Sequence, residues 1–355
     1  MPSKKLCSVC GVAKRVNKEH EWLDDGTIVQ KENRDHRMIF IETEDLAGTF
    51  RGIEQIIDMS IERILIEAKR RATFDFVENT LPAIVKAIVR VVGMRPVIRN
   101  IDALGSVMGY GDINLVTLRH RYGKESLAKV SIKEPYSVPL FCGDLAGAFN
   151  AIRGRQVAVE YEEIAPDEYM LTGHISTHPM ELQERLQTKT YQHKPGDISF
   201  ERCPKCGGPI ALSEYKWNVD RGVIENPTNG RRMALVGPAA LDAVIDELEK
   251  ELGDTIPAVI VEAQRRFIKT GFYSLEEVAS EELFRSQLAI RGLGNMRDIE
   301  WLEGGLRFRL ENPCLHAVIT GMALGFFELA SGGEGHAVWK QTDDGDLIVE
   351  ISSGK

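Results

Sequence analysis

Two cysteine pairs of identical spacing stand nearly two hundred residues apart. In "CSVCG", Cys7 and Cys10 are separated by two residues and followed by glycine, and "CPKCG" repeats this with Cys203 and Cys206. Thiolates so spaced in a tight turn can converge on one metal ion, but a closed structural site takes four ligands, so each pair is half a site. A four-thiolate set suits zinc, whose filled d shell imposes no further geometry, with iron as the other metal such a set accepts. The competing readings are two unlinked thiol pairs or a dithiol switch. If the pairs join, the chain should hold one zinc with no position open to water, and acid or a chelator should release it. The two parts of the chain would then loosen while each kept its own core. If they do not join, His20 or His36 would have to complete a knuckle locally.

Other reactive side chains are fewer. Cys142 and Cys314 sit near glycine-spaced helical segments, where packing explains a cysteine well. His316 lies about one helical turn before Gly321, facing a pocket or the core. No Ser, His and Asp constellation, phosphate-binding glycine loop or paired metalloprotease histidines occur, and "GYGD" and "GLGN" are too short for a nucleotide fingerprint. "RHRYGK" at 119–124 and "KRR" at 69–71 read as a strand end and a solvated helix face. Glu160, Glu162 and Glu163 read as a solvated strand edge.

The cysteines must be positioned by elements that themselves repeat. Trp22 and Trp217, Arg37-Met38 and Arg232-Met233, and "EAKRRA" from Glu67 and "EAQRRF" from Glu262 all stand 195 positions apart. Leu46 with Leu241, Ile53 with Leu248 and Ala68 with Ala263 keep the same spacing. The chain therefore reads as a tandem duplication. Its parts are a zinc knuckle and hairpin at 1–37, a first domain at 38–178, a polar linker at 179–200, a second knuckle and hairpin at 201–232, and a second domain at 233–355. "GYGD" at 109–112 answers "GLGN" at 292–295, so the second copy is shorter. The extra segment "LPAIVKAIVRVVGMRPVIR" is cationic and amphipathic, suited to a lid, a partner or a membrane surface.

Leu241, Val244, Ile245, Leu248 and Leu252 fall at helical spacing behind Pro238, a favoured first-turn residue, and Gly253 with Asp254 ends that helix and caps the next. "GLRFRL" alternates as a strand, and "HAVWKQTDDGDLIVEI" is a hairpin turning at Asp344 and Gly345. Between the hairpins, Gly143 with Gly147 and Gly321 with Gly325 stand one helical turn apart, which lets a helix approach its neighbour. Each copy reads as helix, helix, hairpin, helix, hairpin: an α+β unit with a small antiparallel sheet.

"PLFCGDLAGAFNAIRGRQVAVEYEEIAPDEYMLTGHI" and "NPCLHAVITGMALGFFELASGG" resemble the signature of the 4-vinyl reductase, or hydrocarbon-binding, domain. The resemblance covers roughly 100–175 and 285–352. It implies an apolar pocket between helices and sheet that takes aromatic, tetrapyrrole or acyl compounds, with His316, Gly321, Gly325, Phe326, Cys314, Phe141 and Cys142 as candidate ligand-binding residues. Family members that sense aromatics carry an intradomain cysteine zinc site. Here the corresponding positions hold Val138, His316, Ile164 and Thr342, so that site is lost.

The 355 residues suffice for two or three domains; 43% hydrophobic and 27% charged residues describe a globular chain. No apolar run spans a bilayer and no secretory signal opens the sequence, so a reducing cytoplasm is expected, where six cysteines serve as thiols or ligands. A net charge of -9 argues against nucleic-acid binding. The function expected is non-catalytic binding of a hydrophobic small molecule as carrier, sensor or accessory protein. The alternative is a subunit of a metal-containing enzyme complex acting on such compounds. A partner enzyme or regulator, and homo-oligomerisation, are compatible with both.

Overall fold

The computed structural model describes residues 5–82, 84, 95–118, 128–176, 186 and 188–354. The fold is mixed α and β with three antiparallel sheets among these residues. The helices are α1 (Lys14–Glu19), α2 (Thr43–Ile57), α3 (Glu62–Thr80), α4 (Arg95–Met108), α5 (Val138–Arg153), α6 (Pro238–Leu252), α7 (Ile256–Phe267), α8 (Glu281–Ile290) and α9 (His316–Ser331). Most of the cationic segment after Leu81, and "RHRYGK", lie outside the described residues.

A six-stranded sheet joins the two parts of the chain. Its strands are β1 (His20–Trp22), β2 (Ile28–Gln30), β3 (Arg37–Glu42), β8 (Lys216–Asn218), β9 (Val223–Glu225) and β10 (Arg232–Val236), in the order β1-β2-β3-β10-β9-β8. β3 is buried along its whole length. The apolar run at 38–41 explains its middle, because successive residues point to opposite faces and both faces are covered. The charged ends are buried with partners: Arg37 donates to Pro313 O and Gly292 O, and Glu42 accepts from Arg291. Ile39 and Ile41, with Ala234 and Val236, face the helices. Met38 and Phe40, with Met233 and Leu235, face the cysteine knuckles. At the centre, Phe40 pairs with Leu235, the residue 195 positions on. The expected boundary between 37 and 38 thus falls at the first residue of a strand belonging to the preceding hairpin's sheet.

Each half carries a further four-stranded sheet. In the N-terminal half, β4 (Asp112–Leu118), β5 (Ala128–Lys133), β6 (Val157–Ala165) and β7 (Glu168–Ile175) are ordered β4-β5-β7-β6. In the C-terminal half, β11 (Asn295–Leu302), β12 (Gly305–Glu311), β13 (Gly335–Gln341) and β14 (Leu347–Ser353) follow the same pattern, β11-β12-β14-β13. The predicted hairpin is β13 and β14, with Gly345 at φ 85 in its turn. Thr255, not Asp254, takes the N-cap position of α7. The element order expected from the sequence omits α4 and α8. In α8, Ser280 accepts a hydrogen bond from the Leu283 N–H, an N-cap beneath which a short amphipathic stretch folds as a helix.

The helices cross between halves. α2 packs on α7, and α3 on α6, while the glycine helices α5 and α9 pack on α3 and α7 of their own halves. The crossing runs through the turns too. The Gly111 N–H donates to Gly222 O at 2.9 Å, and the Gly294 N–H to Gly26 O at 3.1 Å, so each "GxG" turn seats the other half's knuckle hairpin. A single core holds Ile39, Ile61 and Leu140 together with Leu241, Ile260 and Phe308. The linker is tied down as well. His193 Nδ1 lies 3.2 Å from Asp25 Oδ2, and Lys194 donates to Asp346 at 2.6 Å. Halves built this way have no plane along which they would part with both cores intact, which changes the expectation drawn from the sequence. No helix among the described residues is long and apolar enough to cross a membrane.

Candidate functional site

The four knuckle cysteines meet. Cys7 Sγ lies 3.9 Å from Cys203 Sγ, Cys10 Sγ lies 3.5 Å from Cys206 Sγ, and all four sulfurs fall within 4.8 Å of one another. These separations exceed a disulfide bond of about 2.05 Å. They fit four sulfurs around one ion, which at a metal–sulfur distance of about 2.3 Å stand about 3.8 Å apart in a tetrahedron. The cluster can hold a metal ion. His20 and His36 are not part of it. The His20 Nδ1 faces the Val16 carbonyl at 3.2 Å, and burial lowers the pKa of both rings to about 4.

Each knuckle makes its site by the same local device. The Cys7 N–H donates to Val12 O at 2.8 Å and the Gly11 N–H to Cys7 O at 3.0 Å; Cys203 with Gly208, and Gly207 with Cys203, repeat this at 2.8 and 2.9 Å. Gly11 and Gly207 have φ of 74 and 73, which a side chain would oppose. The turn aims backbone N–H groups at the first sulfur of each pair. Those of Cys10 and Val9 bring Cys7 down to about 6, and those of Cys206 and Lys205 lower Cys203. Burial raises Cys10 to about 12. A bound dication reverses that penalty, because it supplies the charge that a buried thiolate lacks. Asn17, which the sequence did not single out, donates Nδ2 to Cys206 Sγ at 3.1 Å. Val12, Val16, Trp22, Leu212 and Trp217 close the surroundings with apolar surface.

The candidate ligand-binding residues do not form one site. Gly321 and Gly325 lie at the contact of α9 with α7: a methyl on Gly321 would collide with Val261 O, and one on Gly325 would sit 2.6 Å from Ile268 Cβ. Their role here is close helix packing. Cys142 and Cys314 are fully buried in the core, and burial raises both thiols, Cys314 to about 12. Phe141 lines a cavity of about 130 Å³ beside Lys69 and Asp144, with Ala239 and Ala240 of α6 on its other side. His316 lines a separate polar groove with Asp242, Asp246 and Trp339. Its Nε2 is buried without a hydrogen-bond partner, and burial lowers its pKa to about 4.

Phe326 lines a different space. An apolar cavity of about 410 Å³ lies between α9 and the C-terminal sheet, with Ala323, Phe326 and Phe327 on the helix side and Ile299, Leu306 and Phe308 on the sheet side. Trp301, 70% exposed, also lines it. Alternation along β11 and β12 places these apolar side chains on one sheet face. Comparison with known protein families, curated proteins and solved structures finds no match to this chain.

Proposed function

We propose that this protein binds a hydrophobic small molecule, aromatic or acyl, without catalysing its conversion, in a scaffold clasped by one structural zinc. The observation that carries the reading is the apolar cavity of about 410 Å³ between α9 and the C-terminal sheet, a volume in the usual range for small-molecule sites. The 4-vinyl-reductase-like character of the sequence around α5 and α9 supports the same reading, since that resemblance implies a pocket between helices and sheet.

We read the chain as a tandem duplication whose copies are related by a pseudo-two-fold axis. The shared strand order of the two four-stranded sheets supports it, as does the pairing of Phe40 with Leu235, its counterpart in the sequence repeat. Four thiolates fill a tetrahedral shell and leave no place for substrate, which favours a structural metal over a role in turnover.

The test uses the neutral fluorophore N-phenyl-1-naphthylamine. It is expected to bind at one equivalent per chain and to be excluded by Ala330→Trp, a change at an exposed position lining the cavity. Absence of binding, or equal binding by the variant, would remove the reading.

A further inference from the structure

We infer that the C-terminal cavity takes an uncharged amphiphile: an apolar, aromatic-sized body ending in a single hydroxyl or carbonyl group that hydrogen-bonds the Gln287 side chain. This inference rests on the ligand-binding reading above and adds the chemistry of the ligand's inner end.

A smaller, inner pocket adjoins the apolar cavity. Val278, Phe284 and Phe326 line both, and the smaller, of about 20 Å³, reaches Tyr273, Glu277, Gln287 and Arg291. A space of that size holds about one water-sized group. One oxygen fits there; a phosphate does not.

The charged groups around the inner pocket are already committed to each other. Arg291 gives both terminal nitrogens to the Glu42 carboxylate, the Nη2 to Oε1 bond being 2.6 Å. Arg231 Nη1 donates to both Glu277 oxygens at 2.9 and 2.7 Å. The Tyr273 hydroxyl lies 2.9 Å from Glu42 Oε2 and 2.8 Å from Asp45 Oδ2. An anionic head would have to take Arg291 from Glu42 or sit beside Glu277, and a buried carboxylate without its own counter-charge is strongly disfavoured. A cationic head would face the Arg291 guanidinium, while the carboxylate that lines the pocket, Glu277, already accepts from Arg231. Gln287 is the exception: it is half-buried, and among the described residues its side-chain amide has no hydrogen-bond partner. A primary amide offers donors and an acceptor, so it serves a hydroxyl or a carbonyl equally.

Displacement of N-phenyl-1-naphthylamine by matched naphthalenes tests this on the wild-type chain at pH 8. The panel is naphthalene, 2-(hydroxymethyl)naphthalene, naphthalene-2-carboxylate and 2-(aminomethyl)naphthalene. The alcohol is expected to displace the fluorophore at a concentration about tenfold below that of the carboxylate or the ammonium compound. Gln287→Leu should weaken the alcohol about tenfold, the effect of one lost hydrogen bond, and leave naphthalene unchanged. Equal displacement by all heads, preference for a charged head, or an alcohol indifferent to Gln287→Leu would overturn the inference while leaving the cavity reading in place. A fluorophore that does not bind, or that ignores Ala330→Trp, overturns both.

Discussion

The amide of Asn17 reaches across from one half of the chain to the sulfur of Cys206 in the other. An N–H donated to a thiolate spreads its charge and fixes its direction, and such supporting contacts are typically worth 10–100-fold in metal affinity. Asn17→Ala should therefore release zinc to a competing chromophoric chelator at about tenfold lower chelator concentration, with the helical circular dichroism unchanged. A second residue-scale prediction concerns Asp45. Burial first, and the charge of Glu42 next, raise its pKa to about 6, above the value near 3.8 of a free aspartate. The folded state then holds a proton that the unfolded chain releases, so this group's contribution favours folding at low pH and is lost as pH rises through about 6. Relative to Asp45→Asn, the wild type should lose about 1 to 2 kcal/mol of stability between pH 5 and pH 8. Parallel stability curves for the two proteins over that range would contradict the assignment.

Among the elements, the glycine helices give the clearest contrast. A methyl on Gly143 would sit 2.6 Å from Ile66 O, and one on Gly321 would collide with Val261 O, whereas Gly333 has open space around it. Gly143→Ala and Gly321→Ala should each destabilise by about 1 to 3 kcal/mol, the usual cost of forcing atoms into a packed contact. Gly333→Ala should stay within about 0.5 kcal/mol. Chemical denaturation of the three variants measures the difference. The sequence made these glycines legible as points of close approach, because small residues one helical turn apart have few other uses. It left their partner helices unstated. Periodicity identifies the buried face of α2 through Leu46 and Ile53 but not the surface that covers it, so the crossing of α2 onto α7 could not be read. The Glu42, Arg291, Tyr273 and Asp45 network was equally hidden, since single charged residues spread along the chain look like solvated ones until the fold brings them together. The cysteines were different: a repeat that displaces one CxxC pair onto another announces its own partner. His316 and Phe326 lie close in sequence on α9, and only the structure divides them between a polar groove and an apolar cavity.

At the scale of the whole molecule, the shared sheet, the crossed helices and the four-cysteine cluster tie the halves at three levels. Both halves contribute to one core. Thermal unfolding of the metal-loaded protein should therefore be a single cooperative transition, and stripping the metal should lower its midpoint without splitting it in two; calorimetry with and without chelator checks this, and two resolved transitions would speak for independent halves. Metal content tests the central claim most directly, because the account makes one site from two distant knuckles. The purified chain is expected to carry one zinc ion, and Cys7→Ser and Cys203→Ser, each altering a single knuckle, should each reduce it to near zero. Two zinc ions per chain, or full retention of zinc after either substitution, would show that each knuckle completes its own site and would contradict the account.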